Sequence, residues 1–166
     1  MTTVAPTPVG TSRAHTIVSR FLGSRGSTDD QNGTDATRSA TTEASLVLLV
    51  EDDFILRRSL AEMLTLEGYE VECAANGLDA LRRLERRPKP SLILLDIMMP
   101  YMDGLEFRAV QRSTPDIADI PVIVITAVGV RPDVAIELEF EQAFFKPLDT
   151  ARLLDAIKKQ CAPGSH

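Results

Sequence analysis

The chain has no tryptophan, two histidines and two cysteines, and aromatic residues make up only 5% of it. Cys73 and Cys161 lie far apart in sequence, which excludes a disulfide framework and gives no metal-ligand spacing. Such sparing use of thiols fits a reducing compartment, so a cytoplasmic location is expected. No apolar run approaches the roughly 20 residues that a membrane-spanning helix needs, so no membrane association is expected. An excess of basic charge is missing too. The net charge is −6, which removes bulk electrostatic attraction to nucleic acid, and no direct nucleic-acid binding is expected.

What remains is 166 residues, 44% hydrophobic and 25% charged, enough for one domain with a real core. Residues 1–44 differ from the rest. Thr, Ser and Gly dominate, and so little apolar surface cannot offset the entropy of ordering the chain. They read as a disordered tail ahead of a domain spanning 45–163. One patch in the tail, His15 to Leu22, has the apolar content of a short docking turn. The tail has no apolar signal core, so secretion is not expected.

From Ser45 on, apolar runs alternate with helical patterns. Leu46–Val50 is a fully apolar strand ending in Glu51, Asp52 and Asp53. Leu56, Leu60, Met63 and Leu64 recur at helical spacing up to Gly68, placed as a helix-ending glycine. Tyr69–Cys73 alternates as a strand, and Asn76–Arg87 reads as a helix stopped by Pro88 and Pro90. Ser91–Leu95 is a second apolar strand, running straight into Asp96. Asp103–Ser113 reads as a helix and Pro121–Ile125 as a strand followed by Thr126. A weaker helical pattern covers about 131–140. Ala143–Phe145 is a short strand before Lys146-Pro147, and Asp149 caps a last helix through Gln160. Five strand–helix units predict an α/β, doubly wound, five-stranded parallel sheet of order 2-1-3-4-5 with helices on both faces. The switch point then falls between the first and third strands, where Glu51-Asp52 and Asp96 emerge together.

Taken singly, each polar strand end has an ordinary explanation: acids at a helix start, a hydroxyl cap, a solvated lysine. Together they form a set. Three carboxylates in one pocket repel one another, and a hard cation such as Mg²⁺ relieves them while taking phosphate oxygens. Lys146 and Thr126 add a positive charge and a hydrogen-bond donor for a phosphoryl group. A carboxylate can serve as nucleophile, and Asp96, on the central strand, is the best placed.

At these residues the sequence resembles the receiver domain of two-component response regulators, of the stand-alone type. The resemblance rests on VLLVEDD at 47–53, LLDIMMPYMDG at 94–104, VIVITA at 122–127 and KP at 146–147. It implies a flavodoxin-like fold. Asp96 becomes the phosphoacceptor, with Mg²⁺ held by Glu51, Asp52, Asp96 and the backbone carbonyl of Met98. Thr126 then follows the phosphoryl group, Lys146 pairs with its oxygens, and Lys146-Pro147 is a cis peptide. The implied donor is a sensor histidine kinase or a histidine phosphotransfer protein. The implied output is a downstream protein target, engaged through the face of the fourth and fifth strand–helix units, which also allows a homodimer. The implied role is signalling, with no catalysis beyond the domain's own phosphorylation and dephosphorylation. Asp53 falls outside the usual acid pair and receives no role. The sequence departs from the family at Ala143, where an aromatic residue usually stands, leaving Phe144 and Phe145 as substitutes.

Other readings fare worse. A phosphatase with an aspartate nucleophile needs a second acid two residues on, and Met98 stands there. A dinucleotide site needs glycines after the first strand, where Glu51 to Asp53 would repel a pyrophosphate. A pseudo-receiver that binds partners without phosphorylation is kept alive by the altered fifth strand.

Overall fold

The structure is a computed structural model, and it describes residues 44–127, 140 and 142–162. All of the expected tail at 1–44 but residue 44, and all of the expected helix at about 131–140 but residue 140, lie outside the described residues, as does the domain's expected last residue, 163.

The elements follow the expected alternation. Strands β1 (Leu46–Val50), β2 (Glu70–Ala74), β3 (Leu92–Asp96), β4 (Val122–Thr126) and β5 (Gln142–Phe145) form one sheet of order β2-β1-β3-β4-β5. Every pairing is parallel. Helices α1 (Phe54–Leu66), α2 (Gly77–Leu84), α3 (Gly104–Arg112) and α4 (Thr150–Gln160) connect and follow them. Among the described residues no helix is long and apolar enough to cross a membrane.

The three inner strands β1, β3 and β4 are buried at every position, which is why they read as unbroken aliphatic runs. Successive side chains point to opposite faces. Val47, Leu49, Leu92, Leu94, Ile123 and Ile125 pack on one face with Leu60 and Leu64 of α1 and Leu153 and Ile157 of α4. The alternate positions, such as Leu48, Ile93 and Val124, are also buried and point to the other face, where α2 and α3 pack together. Outer strand β2 is half-exposed over most of its length.

Helix ends follow local chemistry. Asp53 caps α1 by accepting from the N–H groups of Ile55 at 2.8 Å and Leu56 at 3.0 Å. At the other end Gly68 takes φ +91°, Tyr69 N–H reaches Leu64 O at 3.1 Å and Gly68 N–H reaches Thr65 O at 3.1 Å. That is the paired bonding of a Schellman stop, and it requires the left-handed glycine. Asp103 and Glu106 close a reciprocal capping box at the start of α3.

Helix α2 differs from the expected Asn76–Arg87. Asn76 is its cap, and the helix ends at Leu84, before the prolines. Arg86 N–H bonds to Arg83 O at 3.0 Å, tightening the last turn, and the Lys89 ammonium takes the Leu84 carbonyl. The residue before a proline is biased against helix, so the terminating influence of Pro88 reaches back past its own position. Arg87-Pro88 is cis, and so is Lys146-Pro147 as the resemblance implied.

Candidate phosphoryl-acceptor site

The register brings the predicted residues to one edge. Val50 pairs with Leu95, so Glu51 and Asp96 leave neighbouring strands at the same level. Asp96 pairs with Ile125, one residue before Thr126. Thr126 pairs with Phe145, and Lys146 N–H bonds to Thr126 O at 2.9 Å. Asp96 and Thr126 prove to be the last residues of their strands rather than the first of the loops.

Lys146 ties the acids together. Its ammonium lies 2.8 Å from Asp96 Oδ2 and 3.1 Å from Glu51 Oε1. Glu51, Asp96 and Thr126 are buried, while Asp52 is exposed. Burial pushes the Glu51 carboxyl up to about 6; the Lys146 hydrogen bond opposes the rise and the Asp96 charge adds to it. Burial works against the charge on Lys146, but the hydrogen bonds to Asp96 and Glu51 outweigh it and raise its pKa above the usual lysine value. Asp96 Oδ1 accepts from the N–H of Met98 at 3.2 Å, which fixes the carboxylate's orientation within its own loop.

Carboxylate oxygens of Glu51, Asp52 and Asp96 lie within 4.8 Å of one another. Glu51 Oε2 is buried and, among the described residues, accepts no hydrogen bond; Lys146 Nζ is 2.9 Å away but off the direction a hydrogen bond needs. An all-oxygen, multiply charged cluster fits a hard divalent cation.

The loop after Asp96 is shaped by two glycines. A Cβ on Gly104 would stand 2.4 Å from Asp96 O, and one on Gly77 would stand 2.5 Å from Met102 Cγ. Gly77 N–H also bonds to Met102 O at 3.1 Å. Tyr101, at φ 70°, is the one non-glycine residue in the left-handed region among the described residues.

The two candidate aromatics separate. Phe144 is buried in the core shared with α1 and α4. Phe145, the register partner of Thr126, is 57% exposed, and Ala143 is exposed as well. Sequence alternation alone predicts that the two phenylalanines face opposite ways; only the register says which is which.

Two site features escape the sequence reading. Asp53 caps α1, and the backbone N–H of Leu56, with that of Ile55, holds its carboxyl below the usual range against slight desolvation. Arg57, one turn further, donates from Nη1 to Glu51 O and, at 3.1 Å, to Asp52 O. An aspartate directly before a helical pattern signals the cap; nothing in the pattern signals the arginine.

Comparison with known proteins agrees with this geometry. The family described as the response regulator receiver domain matches residues 47–158. The transcriptional regulatory protein CpxR homolog of Haemophilus influenzae is 39% identical over 116 residues, 69% of this chain and 49% of that protein. Response regulator MprA of Mycobacterium leprae is 44% identical over 81 residues, 49% of this chain and 34% of its own. The chain therefore spans half the length or less of these curated relatives. Among solved structures, the N-terminal domain of a response regulator receiver protein from Methanoculleus marisnigri is 35% identical with a TM-score of 0.58, covering 68% of this chain and 93% of that one. Response regulator TrrA of Thermotoga maritima, solved in complex with Mg²⁺-BeF, is 31% identical with a TM-score of 0.62, covering 70% and 98%. With a match that takes in at least part of every described element, the chain belongs to the response regulator receiver domain family, a signalling domain rather than a classical enzyme.

Proposed function

We propose that Asp96 accepts a phosphoryl group from the phosphohistidine of a sensor histidine kinase or a histidine phosphotransfer protein. The observation that carries the reading is the Lys146 ammonium, 2.8 Å from an Asp96 carboxylate oxygen in a cluster with Glu51 and Asp52. An Asp96 oxygen attacks phosphorus. The bond from phosphorus to the donor's imidazole nitrogen breaks, its electron pair stays on nitrogen, and the product is an aspartyl phosphate. Lys146 exchanges part of its bond to Asp96 for the arriving oxygens, and the Thr126 hydroxyl donates to one of them. Mg²⁺ held by Glu51, Asp52, Asp96 and the Met98 carbonyl would supply neutralising charge at those oxygens.

The bound phosphoryl group then biases the face built by the fourth and fifth strand–helix units, where Phe145 is the aromatic at hand. We assign the output to a downstream protein target or a second copy, in the cytoplasm, with residues 45–163 as the receiver and 1–44 as a separate tail. The names of the relatives, response regulators and a transcriptional regulator, support a signalling role for any longer protein that carries this domain.

The test is intact mass after incubation with acetyl phosphate and Mg²⁺, beside Asp96→Asn. A phosphoryl adduct that needs the metal and disappears in the variant is expected. A folded wild type that binds Mg²⁺ and stays unmodified would overturn the reading in favour of a binding module that works without phosphorylation.

A further inference from the structure

The acid-bearing turn is held by a single residue, with its side chain on two carbonyls and its backbone N–H on a third. Glu51, Asp52 and Asp53 follow one another between β1 and α1, and the carbonyl of each accepts a hydrogen bond from Arg57. The guanidinium Nη1 takes Glu51 O and Asp52 O, and the backbone N–H takes Asp53 O at 2.9 Å. The guanidinium also lies 5.7 Å from the ring centroid of Phe54, which holds it across the turn. Its bonds go to main-chain carbonyls, not to the carboxylates.

We propose that Arg57 is a positioning residue for divalent-cation binding: it fixes the backbone of the Glu51-Asp52 turn so that both carboxylates face Asp96. The inference rests on the metal-dependent reading above and extends it to a residue outside the ligand set. A planar guanidinium can hold two carbonyls in a fixed relation, which a point charge on a flexible stem cannot. Loss of a group that orients metal ligands without touching the metal typically weakens metal affinity by roughly 10–100-fold.

The idea has a sign that separates it from plain electrostatics. Arg57 is a cation near a cation site, so by Coulomb's law alone its removal should tighten Mg²⁺ binding. Positioning predicts the reverse.

Calorimetric titration of the full chain with Mg²⁺ decides between them. Arg57→Met keeps the apolar stem and removes the donors; binding about tenfold weaker or more is expected. Arg58→Met is the control. Arg58 pairs with Glu62 at 2.9 Å and holds no part of the turn, so its loss should leave affinity unchanged or slightly higher. Arg57→Lys keeps the charge and should still bind more weakly than wild type, which covers the case in which Arg57→Met does not fold. Unfolding midpoints without metal verify that each variant compared is native. Wild-type or tighter affinity in a folded Arg57→Met or Arg57→Lys overturns the proposal. If the wild type itself takes up no Mg²⁺, the metal reading falls first and this inference falls with it.

Discussion

The backbone of Gly104 lies directly against the carbonyl of Asp96, close enough that a Cβ would stand 2.4 Å from its oxygen. Gly104 N–H also bonds to Ile97 O at 2.9 Å, so the start of α3 is sewn to the loop that carries the acid. The obstructing atoms are main chain and cannot swing aside. Gly104→Ala should therefore displace the Asp96 loop and cost about 1–3 kcal/mol. Urea midpoints check the stability, and the yield of acetyl-phosphate adduct checks the displacement. An alanine variant with wild-type midpoint and yield would show the contact to be slack.

Glu51 gives the protein a pH dependence in the absence of divalent ions. Its carboxyl rises from an ordinary 4.5 to about 6 on folding. Between those values the folded state binds more protons than the unfolded one, so stability falls as pH rises. The favourable contribution is fully present below pH 4.5 and gone above about 6, a difference on the order of 2 kcal/mol. Glu51→Gln should flatten that slope and be the more stable protein at pH 7.5. Denaturant unfolding from pH 4 to 8 in chelator measures it; parallel profiles for the two proteins would contradict the assignment.

Tyr101 stores backbone strain. It holds φ 70° and is 82% exposed, so little packing compensates. A left-handed residue with a Cβ costs roughly 1–2 kcal/mol, and glycine escapes that at the expense of a freer unfolded chain. Tyr101→Gly should match wild type or exceed it by up to about 1 kcal/mol, whereas Tyr101→Val should lose about 1 kcal/mol or more. Paired urea melts distinguish these, and a valine variant as stable as the glycine one would refute the strain.

Gln111 is a polar residue buried completely on α3. Its amide nitrogen donates to Ile117 O at 2.6 Å and Ile120 O at 2.9 Å, and its oxygen accepts from Arg108. It pins the turns that lead into β4. Gln111→Leu keeps the volume but takes the donors from two carbonyls, and a loss of at least about 2 kcal/mol is expected. Thermal and urea unfolding would show it.

What the sequence discloses here follows from how many neighbours a residue needs to declare itself. An aliphatic run ending abruptly in acid, as at Leu46–Glu51 or Leu92–Asp96, states its own burial and its own edge. Five such units leave few ways to arrange a parallel sheet, so the meeting of Glu51, Asp52, Asp96, Thr126 and Lys146 is legible before any coordinates. The residues that escape are those whose partners are main-chain atoms of another segment. Arg57 and Gln111 look like ordinary solvated helix positions, because the carbonyls they hold are not written in the sequence. The stop at Leu84 is hidden for a similar reason: the Lys89 ammonium supplies an end that the helical pattern of Arg86 and Arg87 does not suggest. Phe144 and Phe145 are told apart only by the pairing of Phe145 with Thr126, a register no single strand contains.

That register has a further consequence. Glu51, Asp96, Thr126 and Lys146 each stand at or one step beyond the end of a strand, so the direction of each depends on the count of residues before it. Sliding β4 by a single position would present Ile125 where Thr126 belongs and exchange Val for Ile at each buried place on both sheet faces. With both faces of β4 buried, the count is held by the fit of Val and Ile volumes in a close-packed core, and that fit keeps Thr126 at the edge where Glu51 and Asp96 emerge.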